Sequence, residues 1–93
     1  MELSRQARII PSDRVLYKDV GGEAVLLDLE TETYFGLNGV GARLWHLLAA
    51  SRSLGEVQDA LMDEFDVAPE VLTKDVLDLV EELLERRLVR LSA

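Results

Sequence analysis

The sequence predicts an α+β domain with its strands first and its helices after, and three observations lead there. Two apolar runs flank Gly21-Gly22. That is a hairpin signal, because glycine supplies the positive φ angles that primed two-residue turns need. Tyr34, Phe35 and Leu37 favour a strand. Asn38 follows at once and is a good helix N-cap, so a strand feeds a helix with no spacer. From Val40 onward, apolar residues recur mostly at helical spacing.

The chain has 93 residues, which fits one domain with a modest core. Apolar residues make up 48%, enough for the chain to fold alone. There is no cysteine, so neither a disulfide nor a thiol zinc site can form. No apolar run approaches the ~20 residues of a membrane span. The segment Met1 to Gln6 lacks the apolar core of a signal peptide, so a cytoplasmic protein is expected. Ten basic against eighteen acidic residues leave a charge of −8. That balance argues against nucleic acid and against an anionic membrane surface, both of which need a basic footprint.

Met1 to Ser12 shows little periodicity and reads as a flexible arm, with Pro11 discouraging regular structure before it. The arm is set at residues 1–13 and the domain at 14–93. Arg14 to Val20 reads as the first strand and Glu23 to Leu29 as the second. Glu30-Thr31-Glu32 is a glycine-free turn, and Thr33 to Leu37 is the third strand. The product is a three-stranded antiparallel meander. Its third strand keeps a free edge, lightly protected, with one glycine and no proline or lysine. A proline at Thr33 or Phe35 would block that edge if the N–H it removes points outward.

The first helix spans about Gly39 to Ala50. Ser53-Leu54-Gly55-Glu56 is a capping box that opens the second helix. Pro69 suits the first position of a third helix, which runs to about Arg86. Leu72, Val76, Leu79 and Leu83 form one stripe on it, and Leu77, Val80, Leu84 and Leu88 a second stripe beside the first. Together they cover about half the circumference, more than the ~100° that facing one core requires. A helix packed on two sides by its own domain fits this pattern, and so does a helix that lines a groove. Asp75, Asp78, Glu81, Glu82 and Glu85 fall on its wet side. Leu88 to Leu91 reads as a short extended tail.

No catalytic constellation is visible. His46 is the only histidine, so no triad or histidine pair can form. Gly39-Val40-Gly41 lacks the third glycine of a dinucleotide fingerprint. The acidic pairs Asp63-Glu64 and Glu81-Glu82 are adjacent on helices and diverge. A binding module without enzyme activity, metal or cofactor is the expected class.

Three strands followed by three helices give a winged-helix-like outline with its wing at the N-terminus. Val25-Leu26-Leu27-Asp28-Leu29-Glu30-Thr31, Tyr34-Phe35-Gly36-Leu37-Asn38 and Gly41-Ala42-Arg43-Leu44-Trp45 resemble the PqqD-like family. So does Glu64-Phe65-Asp66-Val67 followed by a long acidic helix. The resemblance covers about Val15 to Leu91 and is closest to the stand-alone leader-binding proteins of lasso-peptide clusters. Arg87 departs from it, since the family favours glycine at that helix end.

The resemblance implies a recognition element for ribosomally made, post-translationally modified peptides. The leader of a precursor would add as a strand against the third strand, in the cleft beside the third helix. Carried over by position, Thr33, Tyr34, Phe35, Gly36 and Leu37 would supply the main-chain ladder. Val76, Leu79, Val80 and Leu83 would line the groove. In lasso systems a tyrosine and a proline of the leader are held, so two apolar pockets are implied. The protein would then hand the precursor to a leader peptidase and a cyclase. The alternatives are a PQQ-type peptide chaperone for a radical SAM enzyme, a winged-helix regulator, which the charge disfavours, and a scaffold whose edge pairs with itself.

Overall fold

A computed structural model describes residues 3–50 and 52–92. In chain order the elements are β1 (Ile9–Pro11), β2 (Val15–Val20), β3 (Glu23–Asp28), β4 (Thr33–Leu37), α1 (Gly39–Ala49), α2 (Leu54–Glu64), α3 (Pro69–Glu85) and β5 (Val89–Leu91). β2, β3 and β4 form the expected antiparallel meander, in that order. Gly21 (φ 62) and Gly22 (φ 90) make the tight turn between β2 and β3. The core face of the meander carries Ala24, Leu26 and Leu37, all buried. They pack under α1, whose Leu44, Leu47 and Leu48 are buried at helical spacing. The opposite face of the sheet is bare, with Leu16 and Tyr34 exposed and Leu27 standing between them in register.

A second sheet was not expected. β1 and β5 pair antiparallel, with Ile9 opposite Leu91 and Pro11 opposite Val89. The segment read as an arm is therefore partly built into the fold, and Ile9 is only 1% exposed. Its backbone also serves α2. Ala7 O accepts from Leu54 N–H and Arg5 O from Gly55 N–H, both at 2.8 Å. These are among the N–H groups that a helix start leaves without an internal partner. The Ser53–Glu56 capping box satisfies others, as expected.

α3 ends in a Schellman motif. Leu88 N–H reaches Leu83 O at 3.0 Å and Arg87 N–H reaches Leu84 O at 3.1 Å. This geometry puts Arg87 at φ 59. That is the left-handed region where glycine is preferred.

The β3–β4 turn is held by Asp28, which is 2% exposed. Its Oδ1 accepts from Arg14 Nε at 3.1 Å and from the amides of Glu30 at 3.0 Å and Thr31 at 3.4 Å. Arg14 Nη2 donates onward to Arg87 O at 2.8 Å, tying the turn to the end of α3. Burial pushes the Asp28 carboxyl up, but the Arg14 bond, the two amides and the Arg14 charge outweigh it. The net pKa lies below the ordinary carboxylate value. In the unfolded chain the group titrates near its ordinary value of about 4. The ionised, bonded carboxylate therefore stabilises the fold above that pH. This stabilisation is lost as pH falls through the lower, folded value. Asp28→Asn is expected to be less stable than wild type at neutral pH. The two melting temperatures should approach one another as the pH is lowered, which thermal unfolding across a pH series checks.

Candidate functional site

The turn at Gly21-Gly22 decides which backbone groups β4 presents. In a two-residue hairpin the flanking residues form a hydrogen-bonded pair, and pairing then alternates along the ladder. Val20 and Glu23 flank the turn, so Glu23, Val25 and Leu27 turn their N–H and C=O groups to β2. Ala24, Leu26 and Asp28 turn theirs to β4, where their partners are Leu37, Phe35 and Thr33. The N–H and C=O groups of Tyr34 and Gly36 consequently face outward. Among the described residues no strand pairs with that edge. The N–H groups of Thr33 and Phe35 point inward, so a proline there would damage the meander instead of blocking the edge.

Side chains alternate the other way. Thr33, Phe35 and Leu37 share the helix side of β4, with Leu37 buried and Phe35 half-buried. Tyr34 projects to the bare face and is 72% exposed.

Beside β4, on the helix side, lies a cleft of about 330 Å³. β4 contributes Phe35, Gly36 and Leu37; α1 contributes Val40, Gly41 and Leu44; α3 contributes Asp75, Leu79 and Glu82. Gly41 sits in the first turn of α1, where its N–H donates to the Asn38 cap at 2.9 Å. A Cβ there would meet Leu37 Cδ2 at 3.2 Å and Leu79 Cδ2 at 3.3 Å, so its absence lets the three elements close on the cleft floor. A second recess of about 220 Å³ lies at the other end of β4, lined by Thr33, Tyr34, Phe35, Arg86 and Leu88 among others. Phe35 borders both. The guanidinium of Arg86 lies over the Phe35 ring, 5.1 Å from its centroid, close enough for a cation–π contact. Arg86 Nη2 also approaches Glu82 Oε2 at 3.4 Å.

The nine residues singled out from sequence divide as follows. Thr33 to Leu37 form one strand along the open edge, and Leu79 faces it across the cleft. Val76 reaches the cleft lining but is 2% exposed. Val80 and Leu83, at 0% and 1%, lie in the core. The residues that sequence reasoning passed over are Val40, Gly41 and Leu44 on α1 and Asp75, Glu82 and Arg86 on α3. A glycine inside an apolar helical pattern was the available signal for Gly41. His46, exposed on α1, packs edge-on against Tyr17 at 4.7 Å between ring centroids. Among the described residues no group of three or more histidine or acidic side chains is placed to hold a metal ion. Among the described residues no helix is long and apolar enough to cross a membrane.

Fold and site together define a small winged-helix-like α+β domain organised around one open strand edge and a helix-lined cleft. The family model described as coenzyme PQQ synthesis protein D (PqqD) matches residues 23–89, and the chain belongs to the PqqD family. It is similar to the PqqA binding protein of Gluconobacter oxydans (strain 621H), 38% identical over 58 residues, which are 62% of this chain and 60% of that protein. The matched segment thus spans about three-fifths of that relative's length. The solved structure of TbiB1 in complex with the TbiA(beta) leader peptide is similar with a TM-score of 0.79 and 36% identity, covering 87% of this chain and 94% of that one. Lasso peptide synthetase B1 complexed with its leader peptide shares the fold, with a TM-score of 0.79 at 24% identity over 90% of this chain and 99% of that one.

Proposed function

We propose that this protein is a non-catalytic adaptor of ribosomal-peptide modification, of the lasso-peptide kind. It captures the leader of a precursor peptide by strand addition to β4 and presents the precursor to a leader peptidase and a cyclase. The observation that carries this reading is the pair of outward-facing backbone units at Tyr34 and Gly36, beside the helix-lined cleft of about 330 Å³. Main-chain bonds along an open edge give affinity, and pockets for alternate side chains give specificity. The similarity to TbiB1, solved with a leader peptide, supports the same reading. The bare outer face of the sheet, with exposed Leu16 and Tyr34, leaves an apolar surface for the peptidase while the edge is occupied. The similarity to a PqqA binding protein supports a second reading, a chaperone of a PQQ-type precursor. The two make the same use of β4 and differ in the peptide.

The test is amide hydrogen exchange with and without the leader segment of a short precursor encoded beside this gene. Exchange at Tyr34 and Gly36 should slow on binding, while Thr33, Phe35 and Leu37, already bonded to β3, should change little. Binding that left Tyr34 and Gly36 unprotected would refute strand addition at β4.

A further inference from the structure

The cleft has an ordered charge pattern. Asp75, Leu79, Glu82 and Arg86 recur at spacings of four, three and four, which at ~100° per residue confines them to an arc of about 60°. The first three line the larger cleft, next to Phe35, Gly36 and Leu37. Arg86 lines the smaller recess, next to Thr33, Tyr34 and Phe35. The stripe therefore runs opposite in direction to β4, with Asp75 at the Leu37 end and Arg86 at the Thr33 end. From Asp75 to Arg86 it rises about 16 Å at ~1.5 Å per residue. From Thr33 to Leu37, the ends of β4, the strand advances about 14 Å at ~3.4 Å per residue. The stripe exceeds the strand by less than one residue's advance, so an extended peptide between them is flanked along its course by both.

The charged residues at the two ends of the stripe are both exposed. Lys74 forms its salt bridge with Asp78 at 2.7 Å and acts on Asp75 through charge alone, and Asp75 is exposed. Arg86 is about half exposed; its Nε donates to Glu82 Oε2 and its Nη2 approaches the same oxygen, both at 3.4 Å, while its guanidinium lies over Phe35. Glu82, between the ends, is partly neutralised by this contact.

We propose that the cleft selects its peptide by charge order. A basic side chain lies against Asp75 at the Leu37 end. An apolar side chain lies against Leu79. An acidic side chain lies against Arg86 at the Thr33 end, four residues from the basic one. In an added strand alternate residues share a face, so positions i, i+2 and i+4 meet these three groups in turn. This inference rests on the reading of β4 as the peptide edge, and Asp75 and Arg86 become specificity-determining residues of that edge.

The test is a positional-scanning array of 12-residue peptides, probed with the full-length protein and with Asp75→Lys and Arg86→Glu. Wild type should enrich peptides with Lys or Arg and Asp or Glu four residues apart, in one order only. Each single charge reversal should weaken the selected peptides about fivefold to tenfold, and reversing the matching peptide charge should restore binding. The gain should shrink at high salt. Rescue by the peptide charge separates recognition from a merely structural effect of Arg86 on Phe35. Peptides that protect the Tyr34 amide but show no charge order, or that do not respond to the reversals, would overturn the inference and leave the edge reading intact. Array peptides that bind without protecting Tyr34, or no binding at all from a folded protein, would overturn both.

Discussion

Tyr34→Pro should abolish useful peptide capture and leave the domain folded. Its amide is one of the two N–H groups of β4 that face away from β3, so proline removes a donor that the free protein offers only to solvent. Edge positions tolerate proline for that reason. In the complex the same change leaves a peptide carbonyl without its donor and puts a pyrrolidine ring in the path of the added strand. A buried acceptor left unpaired costs about 1–3 kcal/mol. That is about a fivefold to 150-fold loss of affinity, and the ring pushes the result to the upper end. Tyr34→Ala, which keeps the amide, separates the loss of the side chain from the loss of the N–H. Phe35→Pro is the opposite case. It removes an N–H that pairs with Leu26 in the middle of the meander, so it should lower the melting temperature sharply. Calorimetric titration together with helical circular dichroism distinguishes the outcomes. A folded Tyr34→Pro that bound with wild-type affinity would exclude β4 as the peptide edge.

Leu83→Ala and Leu79→Ala should fail in different ways, although they sit one turn apart on the same helix. Leu83 is 1% exposed and packed in the central core. Truncating it leaves a cavity that the neighbours fill only in part, at a cost of about 2–5 kcal/mol. In a domain of this size that is a large share of the total stability. Leu79 is half-buried and faces the cleft, so truncation removes less packing from the free protein. In the complex it removes the apolar wall against which a peptide side chain rests, and such central contacts commonly cost more than 1 kcal/mol of binding. Val80→Ala should behave like Leu83→Ala. Val76→Ala, at the junction of core and cleft, should show both effects. Unfolding midpoints and peptide affinities measured on the four variants decide the matter. If Leu79→Ala lost as much stability as Leu83→Ala and bound peptide normally once folded, α3 would be a purely structural helix.

Much of this architecture is legible without coordinates because it is encoded locally. The Gly21-Gly22 turn, the Asn38 cap, the Ser53–Glu56 box and Pro69 each fix an element boundary through contacts within a few residues. The observed strands and helices agree with those boundaries to within a residue or so. The β1–β5 pair escaped because Ile9 finds its partner at Leu91, across nearly the whole chain. Three-residue strands carry too little alternation to announce themselves. The span of apolar residues around α3 likewise showed that the helix had more apolar surface than one core face needs, without showing which part was surplus.

The sequence by itself determined that this is a strands-then-helices domain with a lightly guarded third strand and an acidic balance. Tertiary structure alone decided three further things. It turned the N–H groups of Tyr34 and Gly36 outward, because the parity of a ladder follows from hydrogen-bond alternation that starts at a turn. It put Val80 and Leu83 inside and Leu79 on the cleft, because the rotation of α3 is set by how α2, β5 and α1 pack against it. And it brought Arg86 over Phe35, since a contact between a strand and a helix end so distant in the chain exists only once the whole core has closed between them.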